Sequence, residues 1–138
     1  MKRLLLVSHG QFASGLHNAL EMLTGKRDDI ISFGLREDQA VENFSEVIAD
    51  TLDSDTEGYV VLADIIGGSP LTTTLQVLDK QGKMENTMVI GGMNLPLALT
   101  AVLMKDTLDA EELQKTIIEQ ATTAIQPFVM EEKEEAEI

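Results

Sequence analysis

Three short segments of the chain carry the residues able to do chemistry. They are Ser8-His9-Gly10, Asp64 with the downstream Gly67-Gly68-Ser69-Pro70, and Gly91-Gly92-Met93-Asn94-Leu95-Pro96. A neutral imidazole nitrogen is a good nucleophile towards phosphorus. A carboxylate bonded to the other ring nitrogen fixes the tautomer and stabilises the cationic adduct. Glycine-rich turns that open onto helix N-termini offer unpaired N–H groups and positive dipole ends to an anion. His9 and Asp64 are therefore the candidate catalytic pair, and Gly10, Gly67, Gly68 and Ser69 the candidate phosphoryl-binding residues. No second histidine lies at a strand end and no acidic metal-ligand cluster is evident, so the set suits holding a phosphoryl group on His9 rather than hydrolysing it. No metal or other cofactor is expected.

Each piece alone has an ordinary structural reading. A histidine at a strand end can be incidental, Asp64 can simply cap the next turn, and Gly67-Gly68-Ser69-Pro70 can be a plain helix start. It is not a phosphate-loop motif, because no Gly-Lys-Ser/Thr follows. Gly91-Gly92 can serve only to relieve backbone crowding. The case rests on their convergence, which the order of elements requires. His17, one residue after the apolar Leu16, reads as a flank or surface residue, and the methionines as scattered core fillers.

The elements that must position these residues alternate between two apolar periods. Residues 4–7 (Leu-Leu-Leu-Val) form an unbroken apolar run, the mark of a strand buried on both faces. From Ser14 the spacing of Leu16, Leu20 and Leu23 predicts a helix that Gly25 ends. Residues 30–33 read as a second strand, and Asp38 as the cap of a helix burying Val41, Phe44, Ile48 and Leu52. A polar turn, Asp53-Ser54-Asp55-Thr56, leads to a third strand over residues 59–63. Ser69 is the expected cap of the next helix with Pro70 in its first position; Leu71, Leu75 and Leu78 face inward. A fourth strand spans residues 87–90. Asn94 caps an apolar helix over 95–104, and Asp109 with Glu112 opens a last helix as a capping box. That helix stops before Pro127, and Phe128-Val129-Met130 can form one more short strand. Strands separated by helices imply right-handed crossovers. The expected fold is α/β: a doubly wound, mainly parallel four-stranded sheet with helices on both faces. Ligands then bind outside the carboxyl ends of the strands, where His9, Asp64 and the two glycine turns all fall.

Composition bounds the rest. The chain has 138 residues, fitting one domain with a core of its own. There is no cysteine, which removes thiolate and disulfide chemistry and fits a reducing, cytoplasmic setting. The net charge of −14 argues against nucleic acid as a partner. No stretch approaches the roughly 20 apolar residues that span a bilayer. Residues 131–138, with five Glu and one Lys, read as an acidic disordered tail beyond a domain of residues 1–130.

At these motifs the chain resembles the enzyme IIA proteins of the mannose–fructose–sorbose class of the bacterial sugar phosphotransferase system. The segments that carry the likeness are Leu5-Leu6-Val7-Ser8-His9-Gly10, Asp64-Ile65-Ile66-Gly67-Gly68-Ser69-Pro70 and Gly91-Gly92-Met93-Asn94-Leu95-Pro96-Leu97, in matching order and spacing. The resemblance implies that His9 takes a phosphoryl group from the phosphohistidine of HPr, forming a phosphohistidine intermediate. The group then passes to an enzyme IIB partner linked to membrane IIC and IID subunits, for uptake and phosphorylation of a mannose-class sugar. It implies that Asp64 orients His9, that Ser69 lies beside the site, and that the protein is a homodimer whose C-terminal strand, here residues 128–130, crosses to the other subunit. Such a carrier is cytoplasmic, or peripheral at the membrane through its partners. Ile65-Ile66 stands where some relatives have an aromatic residue, which bears on the partner surface.

Four other readings compete. A phosphocarrier subunit serving a dihydroxyacetone kinase shares the strand-one histidine but not the Gly-Gly-Met-Asn-Leu-Pro segment. A phosphomutase or phosphatase would need Arg where Ser8 stands, and a second histidine. A receiver domain phosphorylated on Asp64 would need an acidic pair where Ser8-His9 sits. A non-catalytic binding module is the fourth.

Overall fold

The computed structural model describes residues 1–52 and 56–130. Four strands, β1 (Arg3–His9), β2 (Ile30–Leu35), β3 (Tyr59–Ala63) and β4 (Thr87–Ile90), alternate with helices α1 (Phe12–Thr24), α2 (Val41–Thr51), α3 (Ser69–Lys80) and α4 (Leu95–Met104). Helix α5 (Ala110–Thr123) follows, and a 3₁₀ turn over Met84–Asn86 leads into β4. All strand pairings are parallel, in the order β2-β1-β3-β4. The expected doubly wound α/β sheet is the one observed.

Alternation along the strands sorts the helices. Leu4 and Leu6 of β1 and Val60 and Leu62 of β3 face a layer built from Ala13, Leu16 and Leu20 of α1, Leu97, Ala98 and Ala101 of α4, and Leu113 and Ile117 of α5. Leu5, Val7 and Val61 point the other way, onto Phe44 and Ile48 of α2 and Leu71, Val77 and Leu78 of α3. The chain leaves β1 towards β2 on one side and returns to β3 on the other. The β1/β3 boundary is thus the place where the winding reverses, and a crevice opens at its carboxyl end.

Several expected boundaries shift, each for a local reason. Helix α1 begins at Phe12, two residues before Ser14, and Leu23 lies exposed because its buried stripe is Ala13, Leu16 and Leu20. Helix α2 starts at Val41 behind Ala40; Asp38 is not its cap, and Val41 is exposed. Helix α3 is preceded by Gly68, so Ser69 is already helical and caps nothing. Asn94 does cap α4, its Oδ1 accepting the Leu97 N–H at 2.9 Å, and Asp109 accepts the Glu112 N–H at 2.9 Å. On α4, Leu103 and Met104 remain exposed. Residues 128–130 form no strand in this chain; Phe128, Val129 and Met130 lie exposed. The turn residues Asp53-Ser54-Asp55 and the acidic segment 131–138 lie outside the described residues.

At the opposite end of the sheet from the crevice lies a buried charge cluster that the sequence did not announce. The Lys105 ammonium, with its side chain wholly buried, sits 2.8 Å from Asp29 Oδ2 and 2.7 Å from Asp106 Oδ2. Arg27 binds Asp29 through Nε at 3.0 Å and Nη2 at 3.1 Å. Burial alone would raise the Asp29 carboxyl, but bonds and charge from Arg27 and Lys105 outweigh it and hold the group at about 2. The Asp29 carbonyl also accepts the Leu4 N–H, which ties the cluster to the start of β1.

Candidate functional site

His9 is the last residue of β1, at the carboxyl edge beside β3. β3 ends at Ala63, and the next residue, Asp64, turns its carboxylate back towards β1. Asp64 Oδ2 lies 2.8 Å from His9 Nδ1 and accepts the His9 backbone N–H at 3.0 Å. Its Oδ1 accepts the Ile65 N–H at 2.9 Å. Burial pushes the Asp64 carboxyl up; the backbone and ring bonds from His9, then the Ile65 N–H, outweigh it, and the group ends below the ordinary carboxylate range. An ionised carboxylate only accepts hydrogen bonds. In the neutral ring Nδ1 therefore carries the proton and Nε2 keeps its lone pair. The imidazole is half exposed, at 52%, against 18% for Asp64, so one partner is anchored while the other is reachable from solution.

Nε2 makes no hydrogen bond among the described residues. It faces Gly68, where an added Cβ would stand 2.9 Å from His9 Cε1 and 3.4 Å from Nε2. Gly68 is the extended residue before α3, and no side chain among the described residues caps that helix. The α3 N-terminus thus abuts the ring with its first-turn N–H groups uncapped, an arrangement that favours negative charge. Gly67 and Ser69 flank Gly68 along the chain, and Ser69 is exposed.

Gly10 behaves differently from the expectation. It has φ +56°, in the left-handed region, and its N–H donates to the Leu35 carbonyl at 2.8 Å. That amide is engaged by β2 rather than open to an anion, so what Gly10 supplies is the tight turn. Its carbonyl oxygen packs flat on Gly34, where any Cβ would collide with it. The third glycine segment reaches the crevice only indirectly. Gly91 lies under Ile66, an added Cβ coming within 2.8 Å of that side chain, and the Met93 N–H donates to the Ala63 carbonyl at 2.9 Å. It therefore braces the β3–α3 loop rather than meeting the ring. Ile65 and Ile66 on that loop, and Phe12 at the start of α1, are exposed.

His17 is more enclosed than a surface residue. Its Nδ1 lies 3.0 Å from Ser32 Oγ and its Nε2 3.4 Å from Glu21 Oε2, so both ring nitrogens face partners. Among the described residues no group of three or more His, Cys, Asp or Glu could hold a metal ion, and no helix is long and apolar enough to cross a membrane.

The family model EIIA-man, the PTS system fructose IIA component, matches residues 3–118. The chain belongs to that family and is thus a phosphotransferase-system IIA component with a role in phosphotransfer. Similar folds include the phosphotransferase system component EIIA of Streptococcus agalactiae, 20% identical at TM-score 0.80, covering 92% of this chain and 97% of that one. The mannose/sorbose specific IIA subunit of Enterococcus faecalis is 22% identical at TM-score 0.78, covering 95% and 98%. The PTS IIA protein associated with the fucose utilization operon of Streptococcus pneumoniae is 26% identical at TM-score 0.75, covering 91% and 92%. None of these matches favours a carrier dedicated to a dihydroxyacetone kinase.

Proposed function

We propose that His9 accepts a phosphoryl group on Nε2 from phospho-HPr and passes it to an enzyme IIB partner. In the first step the N–P bond of the donor phosphohistidine breaks as the His9 Nε2–P bond forms. In the second the reverse exchange loads the acceptor. Asp64 keeps Nδ1 protonated, so that the lone pair stays on Nε2, and balances the positive charge the ring gains as phosphorus attaches. Gly67, Gly68 and Ser69 offer the α3 N-terminus to the phosphoryl oxygens. The observation that carries the reading is the 2.8 Å contact of His9 Nδ1 with Asp64, which leaves Nε2 facing an uncapped helix start.

In the same reading the group goes on through enzyme IIB, linked to membrane IIC and IID subunits, to a mannose-class sugar. The protein works in the cytoplasm as a homodimer. The exposed Phe128, Val129 and Met130 then find cover on the second subunit's sheet, where β4 is the edge strand among the described residues. Labelling with phosphoenolpyruvate, enzyme I and HPr tests the proposal. His9→Ala should abolish acid-labile phosphate while His17→Ala leaves it intact, because both His17 nitrogens are already faced by Ser32 and Glu21. Undiminished labelling of the His9 variant would overturn it.

A further inference from the structure

We infer that Ser8 is a positioning residue for His9, acting through the His9 backbone carbonyl; this rests on the phosphoryl-transfer reading above. Alternation along β1 turns Ser8 away from the crevice, onto the face occupied by Leu4 and Leu6. There it has no solvent exposure at all. A hydroxyl in such a layer is costly unless it is bonded, and Ser8 has two partners. Its Oγ accepts the Ala13 N–H at 2.7 Å and donates to the His9 carbonyl at 3.1 Å.

Both bonds bear on His9. Ala13 lies in the first turn of α1, whose own cap position, Gln11, supplies no side-chain bond. Ser8 replaces that cap from five residues upstream and so ties the strand end to the helix start across the loop. The second bond complements Asp64. The His9 N–H is held by Asp64 at 3.0 Å and the His9 carbonyl by Ser8, so the backbone is tied on both sides of the reacting residue. The Gly10 N–H, in the same peptide unit as the His9 carbonyl, donates to Leu35 and holds that unit from its other side. With its backbone tied and Nδ1 bonded to Asp64, the ring has little freedom left, and Nε2 is presented in one orientation.

The test compares two side chains of the same shape. Ser8→Thr keeps the hydroxyl; Ser8→Val removes it. With phospho-HPr as donor, Ser8→Val should lower kcat by roughly 10- to 100-fold, the scale of a 1 Å misplacement. KM for the donor should stay unchanged, because a wholly buried residue cannot touch a partner. Ser8→Thr should retain the wild-type rate. In nitrogen-15 spectra the Ser8→Val imidazole should lose its single Nδ1–H tautomer pattern and the Ser8→Thr imidazole should keep it. Equal rates for the two variants, or a lowered melting temperature with kcat unchanged, would reduce Ser8 to a structural cap and overturn the inference. If Ser8→Val does not fold, the less bulky Ser8→Ala is read by the same kcat and ring spectra, and amide exchange of the wild-type protein checks the bond itself. Slow exchange at Ala13, matching β1, supports the bond, and exchange at the rate of free chain overturns it. Failure of the wild-type protein to take phosphate from HPr would instead overturn the proposed function, while the ring spectra and amide exchange would still report on Ser8.

Discussion

Substituting Gly68 by Ala should slow phosphoryl transfer without unfolding the protein. The added Cβ would stand 2.9 Å from His9 Cε1, 3.3 Å from Ile65 Cδ1 and 3.4 Å from His9 Nε2. Ordinary carbon–carbon contacts lie at about 3.5–4.0 Å, so the imidazole must retreat by about 0.6–1 Å. The ring is already bonded to Asp64 at 2.8 Å, and a movement of that size either strains the bond or turns Nε2 away from the α3 N-terminus. Misplacement on the 1 Å scale costs about 100-fold in rate, and the methyl also narrows the space beside the nucleophile. Stability should hardly change. Gly68 has φ −131° and ψ 168°, extended backbone that alanine adopts freely. Loss of unfolded-chain freedom contributes about 0.4–1 kcal/mol in favour of alanine, and its poorer fit to the cap position offsets much of that. Stopped-flow or quench measurement of transfer from phospho-HPr, beside a melting curve, reads both quantities. A Gly68→Ala protein that is phosphorylated at the wild-type rate would refute the claim that Gly68 is kept bare by its approach to the ring.

Three other outcomes follow from the same structure. Asp64→Asn should keep the fold but slow transfer by about 10²–10⁴-fold, because the amide neither fixes the tautomer by charge nor balances the adduct; single-turnover kinetics with phospho-HPr reads this directly. Acid unfolding should reflect Asp29. Its folded value of about 2 is depressed from an ordinary 3.8, so its contribution is complete above the unfolded value and disappears as pH falls through the folded one. That contribution is about 2 kcal/mol, lost between about pH 5 and pH 2, and urea titrations of wild type and Asp29→Asn should converge at low pH. Lys105→Met, which removes one of the two cations on Asp29 while Arg27 stays bonded to it, should cost about 1.5–3 kcal/mol by denaturant midpoint while leaving the distant crevice intact. Finally, a chain ending at Met130 should sediment as a dimer, whereas one ending at Gln126 should dissociate or aggregate; a phosphorylatable monomer from the longer of the two would contradict the proposed homodimer.

What could be read from the sequence depended on how local the cause was. β1 and β3 were legible because residues 4–7 and 59–63 are buried on both faces, which requires unbroken apolar runs. Asn94 and Asp109 were legible as caps because a cap three residues from its target is a local bond. The start of α1 was not, since its first-turn N–H is satisfied by Ser8, in the preceding strand. Asp38 was misleading for a related reason: it has the chemistry of a cap, but the helix starts behind Ala40. That His9 and Asp64 share one edge followed from a parallel sheet, which presents its strands' carboxyl ends together; that β1 and β3 are neighbours did not. Which glycine of Gly67-Gly68 meets the ring did not follow, because that depends on the path of the loop in space. Lys105 and Asp29 are far apart in the chain and share no periodic pattern, so only the packed fold reveals their pairing.

The most direct measurement is phosphorus-31 and nitrogen-15 spectroscopy of the protein loaded by phospho-HPr. The account predicts one phosphorylated residue, His9, with phosphorus on Nε2 and a proton on Nδ1 still bonded to Asp64. Phosphorus on Nδ1 of His9, or on any other residue, would contradict it.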